Sequence, residues 1–203
     1  MQDRGLLIAI EGVDAVGKRT QSSILISWIR SRGASVSSMS FPDYETELGK
    51  EIKRFLIGNK TYPPEVRHML FAANRWEKKD ELETQLSASD FVVVNRYSPS
   101  NLAYGASHSL PIQWLRNLEE GLPVADVVAV LDASPASLSR RRGINKDRYE
   151  TNMILQERTR DAYTRLAEEF GWKVVDASKG IEATSTALIS AISDAVKALG
   201  RTV

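Results

Sequence analysis

The chain has 203 residues, 42% of them hydrophobic and 26% charged, which suits one globular domain with a sizeable core and leaves out a disordered or low-complexity protein. The net charge of +1 gives no basic field for polymeric nucleic acid or a membrane surface, and the absence of cysteine removes disulfides and thiol chemistry and fits a reducing cytosol. The apolar run "GLLIAI" near the N-terminus is too short for a signal peptide, and no stretch approaches the roughly 18–20 apolar residues of a membrane span.

The elements follow in chain order. "LLIAIEG" (Leu6 to Gly12) reads as a buried strand running into a glycine-containing loop. From Lys18 to Arg32, Ile24, Leu25, Trp28 and Ile29 recur at helical spacing, and Gly33 can stop the helix. "SVSSMSF" (Ser35 to Phe41) alternates and predicts a second strand that runs into Pro42. "ELGKEIKRFLIG" predicts a short helix. Pro63 and Pro64 stand where a helix begins, and "EVRHMLFAANRWEKKDELETQL" continues it for several turns. "DFVVVN" (Asp90 to Asn95), rich in β-branched residues, predicts a third strand. "IQWLRNLEE" predicts a helix ended by Gly121, and "DVVAVLDA" (Asp126 to Ala133) a fourth strand. The basic segment "SRRRGINKDR" follows. "TNMILQERTRDAYTRLAEEFG" predicts a long helix and "WKVVDA" a fifth strand, and Leu188, Ile192, Val196 and Leu199 stripe a final helix. Strands alternating with helices predict a single α/β domain over residues 1–203, with a five-stranded parallel sheet covered by helices on both faces. In such sheets ligands bind beyond the carboxyl ends of the strands.

Between the first strand and the first helix lies "GVDAVGKRT". Gly12, Gly17 and Lys18 meet the phosphate-loop pattern G-x-x-x-x-G-K-[ST] up to its last position. Backbone N–H groups at a helix start surround phosphate oxygens, and a lysine neutralises them. The reading assigns Gly12, Val13, Asp14, Ala15, Val16, Gly17, Lys18, Arg19 and Thr20 to the phosphates of a bound nucleotide. The alternative is an ordinary glycine-rich turn. Arg19 stands where the pattern has the hydroxyl that ligates Mg²⁺, and Thr20, about 100° further round the helix, does not simply replace it. Phosphate binding is therefore expected while the metal is held differently, with Asp14 the one side chain of the loop worth naming as a ligand.

"LFAANRWE" places Phe71 and Arg75 four residues apart on one helix face. A ring beside a guanidinium can stack on a planar base and hydrogen-bond its edge. A core phenylalanine beside a surface arginine is the other reading, and taken alone it is the preferred one. His68 and His108 show no metal-ligand spacing, Ser107 forms no triad motif, and the four tryptophans read as packing.

The segments "EGVDAVGKRTQ", "FPDYETELGK", "LFAANRWE", "NRYSPSNLAYGA", "RRRGINKDRYE" and "VDASKGIE" occur in this order. Together they make the chain resemble the thymidylate kinase family over almost its whole length. The resemblance implies a three-layer P-loop kinase fold with a short basic lid at about residues 139–150. It implies transfer of the γ-phosphoryl of ATP to dTMP, with Mg²⁺, giving dTDP and ADP for dTTP synthesis, in a cytoplasmic homodimer. It also implies roles. Phe71 resembles the ring that stacks on thymine, and Arg75 the donor to its O4. Arg96 resembles the arginine on the dTMP phosphate. Phe41 and Pro42 resemble the pocket-lining pair, and Tyr104 the ring under the deoxyribose. Ser100 and Asn101 lie at matching base-contacting positions. Tyr149 and Glu150 resemble the lid-side pair that approaches the nucleoside, and Asp14 the carboxylate near the 3′-hydroxyl and the acceptor phosphate. Catalysis would rest on Lys18, Asp14, Arg96 and lid arginines. Ala15 occupies the loop position where some members carry an arginine, so the sequence looks like the type that places this charge in the lid: Arg140, Arg141, Arg142 or Arg148. Which one reaches the phosphates stays open.

Three positions depart from the commonest pattern: Arg19, Asn95 in place of an aspartate, and Tyr44 where many members have an arginine near the acceptor phosphate. Two other readings remain: a kinase of another pyrimidine monophosphate, and a nucleotide-binding relative that has lost turnover, the latter motivated by Arg19 and Asn95.

Overall fold

The computed structural model describes residues 4–138 and 148–203. Its first strand, β1 (Leu6–Glu11), is buried at every residue. A strand apolar on both faces needs neighbours on both edges and cover on both sides. β1 has them: it pairs in parallel with β3 (Phe91–Asn95) on one edge and β4 (Val127–Asp132) on the other. β2 (Val36–Ser40) and β5 (Lys173–Asp176) complete a five-stranded parallel sheet in the order β2-β3-β1-β4-β5. These outer strands carry exposed residues, as edge positions allow.

The helices are α1 (Lys18–Ser31), α2 (Glu47–Leu56), α3 (Pro64–Trp76), α4 (Lys79–Ala88), α5 (Ser98–Ser107), α6 (Ile112–Glu119), α7 (Pro135–Leu138), α8 (Arg148–Thr151), α9 (Met153–Phe170) and α10 (Ile181–Ala198). α1 and α10 pack on each other and on the sheet, and α5 packs along α9. The α/β architecture and parallel sheet are those expected. The register Ile10↔Asn95, with Arg96 N–H donating to Ile10 O at 3.1 Å, sets the loop after β1 beside the loop after β3. That juxtaposition at the carboxyl ends positions the site.

Three features differ from the sequence reading. The long helix expected from Pro64 is two helices. Lys78 leaves helical geometry (φ −107°, ψ 11°), while its ammonium pairs with Asp43 and Glu81. Asp80 and Glu81 then supply the acidic first turn of α4. The second is α5, which the periodicity did not reveal. It is buried at every residue from Pro99 to Tyr104, so it has no polar stripe to mark it. Third, the predicted long helix begins at Met153, where Asn152 Oδ1 caps it by accepting from Leu155 N–H at 3.0 Å, and α8 stands apart. The body of the expected lid, with Arg140, Arg141 and Arg142, lies outside the described residues.

Candidate active site

The chain leaves β1 at Glu11 and turns through Gly12, whose φ of 131° suits glycine; a Cβ there would meet Leu131 O at 2.4 Å. Ala15 (φ 62°) and Gly17 (φ 104°) complete the loop, and Gly17 opens α1 as a left-handed N-cap. Val13 and Val16 are buried and tie the loop to the core. Lys18 is buried, and its Nζ donates to Gly12 O at 3.0 Å and Val13 O at 2.8 Å. Burial, then the Arg96 guanidinium, hold its pKa below the ordinary lysine value, against Asp14, Glu11 and Glu150. Arg19 and Thr20 are exposed on the first turn of α1.

Asp14 is the centre of the site. Its Oδ1 accepts from Arg96 Nη2 in a close ion pair. Its Oδ2 accepts from the Tyr104 hydroxyl at 2.8 Å and from Gln156 Nε2 at 2.7 Å, while Gln156 Oε1 accepts from Asp14 N–H at 3.0 Å. Burial pushes the Asp14 carboxyl up, but Arg96, Lys18 and the hydrogen bonds from Gln156 and Tyr104 outweigh it and hold it at about 2. Arg96 itself sits at φ 62°, right after β3. Its Nη1 donates to Ser100 Oγ at 3.2 Å, and its guanidinium lies 5.3 Å from the Tyr104 ring centroid.

Beside Asp14 is a cavity of about 100 Å³. Its walls include Phe41, Pro42, Tyr44, Phe71, Arg75, Arg96, Ser100, Asn101, Tyr104 and Tyr149. Nearly every residue expected to hold the acceptor nucleotide therefore meets in one place. The Tyr149 ring stacks on Tyr104 (5.5 Å, 13°) and lies 6.4 Å from Phe71 across the cavity. Glu150 is partly exposed and is not among the wall residues. Arg148 holds its guanidinium 4.9 Å from the Phe55 ring centroid, on the α2 side.

Residues 10–188 match the family model described as thymidylate kinase. The chain belongs to the thymidylate kinase family. A thymidylate kinase of Arabidopsis thaliana is 34% identical over 197 residues, covering 97% of this chain and 74% of that one. The Homo sapiens thymidylate kinase is 35% identical over 197 residues, covering 96% and 92%. The solved thymidylate kinase of Candida albicans superposes with a TM-score of 0.81 at 26% identity, covering 97% of this chain and 93% of that one. Membership makes the chain an enzyme, and phosphorylation of thymidylate its reaction.

Within this thymidylate kinase, Arg75 is neither a surface charge nor free in the cavity. It is buried, with Nε donating to Glu119 Oε2 at 2.8 Å and Nη2 donating to Glu119 Oε1. Asn101 Nδ2 also donates to Glu119 Oε1, at 2.8 Å, and to His68 O at 3.2 Å. The Asn101 amide orientation makes Oδ1 the acceptor for His68 Nδ1–H at 2.6 Å, which leaves His68 Nε2 to accept from His108 Nδ1–H at 3.2 Å. Burial pushes His68 down to about 3, so it is neutral in this network. Ser100 faces the other end of the site: its Oγ donates to Glu11 Oε2 at 2.6 Å. Glu11 also accepts from Tyr97 N–H and the Tyr163 hydroxyl.

Glu11, Glu119 and Gln156 escaped the sequence reading. Two carried a signal. Glu11 is a carboxylate closing an otherwise apolar strand, a charge that needs partners once buried. Glu119 is the last residue of α6, where the helix dipole disfavours a carboxylate. Gln156 carried none.

Proposed function

We propose that the loop at residues 12–20 holds ATP, that the cavity beside it holds dTMP, and that the γ-phosphoryl passes between them, giving dTDP and ADP. The observation that carries this is the Asp14 cluster. A residue of the phosphate loop is bonded directly to Arg96 and Tyr104 of the cavity wall, so donor and acceptor sites share one boundary. In this reading Lys18 and the loop N–H groups neutralise the donor phosphates. Arg96 takes the acceptor phosphate, Phe71 stacks on the base, Arg75 donates to its edge, and Tyr104 floors the sugar. Tyr149 closes the cavity. The attacking phosphate oxygen is already ionised, so transfer needs positive charge and alignment rather than a strong base. That suits an Asp14 held ionised by its neighbours.

Mg²⁺ bound with ATP would offset the charge of the phosphates. Both Asp14 oxygens are engaged, and no group of three acidic, histidine or cysteine side chains suited to a metal occurs among the described residues. Asn95 Oδ1, however, is buried without a hydrogen-bond partner at the end of β3. A carbonyl oxygen there fits as an acceptor for metal-bound water, so Asn95 is assigned to hold the ion through its hydration shell. Arg140, Arg141, Arg142 and Arg148 remain the lid cations of the proposal. A homodimer would cover exposed apolar side chains such as Ile57, Met69 and Trp76 around α2 and α3. Among the described residues no helix is long and apolar enough to cross a membrane, and the cytoplasm is the proposed compartment.

The test is ADP release with ATP, Mg²⁺ and a panel of nucleoside monophosphates. Turnover with dTMP that disappears in Lys18→Ala is the expected result. Turnover with dTMP that survives Lys18→Ala, or preference for another monophosphate, overturns the assignment.

A further inference from the structure

Glu119 does not line the acceptor cavity, yet its carboxylate fixes two residues that do. A guanidinium offers five N–H donors, distributed over Nε, Nη1 and Nη2. The two Glu119 oxygens engage the Nε and Nη2 edge of Arg75, and Oε1 also takes Asn101 Nδ2. The ion pair is almost fully buried, with side-chain exposures of 3% and 8%. What is left for the cavity is the outer edge, two N–H groups on Nη1 and one on Nη2, whose orientation is set by a fork of two hydrogen bonds rather than by the flexible arginine stem.

We propose that Glu119 is the positioning residue that makes the site selective for a 4-oxo pyrimidine over a 4-amino pyrimidine. The proposal rests on the reading of Arg75 as the base-edge donor given above. A donor held in place meets the carbonyl oxygen of thymine or uracil as an acceptor. Against cytosine it meets an amino group, so donor faces donor in a dry pocket and neither is satisfied. A guanidinium free to swivel would withdraw from the amino group and lose that rejection. Holding a binding group to within about 0.5 Å and 10–20° is the task of a supporting partner. Here that partner sits at the end of α6, behind the cavity wall, and the same carboxylate keys Asn101, so one charge sets the base end of the pocket.

The experiment is steady-state kinetics of the full chain with ATP and, in turn, dTMP, dUMP and dCMP, for the wild type, Glu119→Gln, Glu119→Asp and Arg75→Gln. Glu119→Gln keeps the volume and removes the charge. Its kcat/KM for dTMP should fall about 10- to 100-fold, mainly through KM, with the ratio of dTMP to dCMP falling at least about 10-fold. The ratio of dTMP to dUMP should stay within about 2-fold, because both bases present the same oxygen; a general loosening of the pocket would move both ratios. Glu119→Asp keeps the charge but falls short of one of its three bonds and should give an intermediate ratio. A folded Glu119→Gln with the wild-type ratio of dTMP to dCMP overturns the proposal. If Glu119→Gln does not fold, Glu119→Asp decides, and an unchanged ratio there overturns it. If Arg75→Gln itself keeps the wild-type ratio, the assignment of Arg75 to the base fails first. If Arg75→Gln loses selectivity while the Glu119 variants keep it, that assignment stands and the role of Glu119 alone falls.

Discussion

The Arg96 guanidinium donates to the Asp14 carboxylate across the gap between the ends of β3 and β1. The pair joins two loops that are 82 residues apart in the chain. Its second nitrogen reaches Ser100 and Nη2 also donates to the Tyr104 hydroxyl at 3.3 Å, so three side chains hold the guanidinium. A lysine would keep the charge but could not span Asp14 and Ser100 together. Arg96→Lys should therefore lower kcat/KM for dTMP at least about 10-fold, with little change in the KM for ATP. An ADP-release assay with each substrate varied separately checks this, and equal losses for both substrates would count against it.

Lys18 is held below its ordinary pKa of 10.5 by burial and by Arg96. A triphosphate placed against it favours the charged form and raises that value again. ATP binding near pH 8 should consequently take up a proton from solution. Calorimetry in two buffers of different ionisation enthalpy measures the uptake, which Lys18→Ala should abolish. Identical heats in both buffers would contradict the assignment of Lys18 to the phosphates.

His68 has its pKa lowered from 6.5 to about 3, chiefly by burial. Between those values the unfolded chain binds a proton that the native chain does not. Stability is then lost as pH falls from 6.5 towards 3, by up to about 1.4 kcal/mol per pH unit from this residue. Asp14, lowered from 3.8 to about 2, adds a loss in the same direction over its own lower window. Urea melts at several pH values should show a shallower slope for His68→Gln than for the wild type. Parallel slopes would mean that His68 is not kept neutral.

Asn95 Oδ1 lies buried at the end of β3 with no partner. A carboxylate in the same place attracts a hydrated cation more strongly in a water-poor site. Asn95→Asp should lower the Mg²⁺ concentration giving half-maximal activity about 2- to 10-fold at fixed ATP and dTMP. Superimposable Mg²⁺ titrations would place residue 95 outside the influence of the ion.

The fold was legible wherever burial imposes a period. β1, β3 and β4 are apolar runs because both faces of the sheet are covered, and the stripe Leu188, Ile192, Val196 marks α10 because one side of that helix is wet. α5 was not legible for the converse reason: it is buried nearly all round. The phosphate loop could be read because its geometry is local, from Gly12 to Lys18. Phe71, Arg96 and Tyr104, which line the cavity, had been singled out through the resemblance of ordered segments. Their partners were not, because Glu119 is 44 residues from Arg75 and Gln156 is 142 residues from Asp14. Nothing local in sequence announces a pairing across such a distance; it becomes visible only when the sheet has brought the loops together.

One turn of α5 carries Ser100, Asn101 and Tyr104. Ser100 answers to Glu11 and Arg96, Tyr104 to Asp14, and Asn101 to Glu119 at the Arg75 end. The spacing between the two ends of the cavity is thus set along a helix, about 1.5 Å per residue of its axis, rather than by a loop conformation. α5 works as a gauge block. Gly105 presses it against α6 so tightly that a Cβ would come 2.4 Å from Leu115 Cδ1. An alanine there would require Leu115 or the helix contact itself to shift. Of the cavity's aromatic walls, Tyr44 is the exposed one, so it is where a side chain can change while the gauge keeps its length.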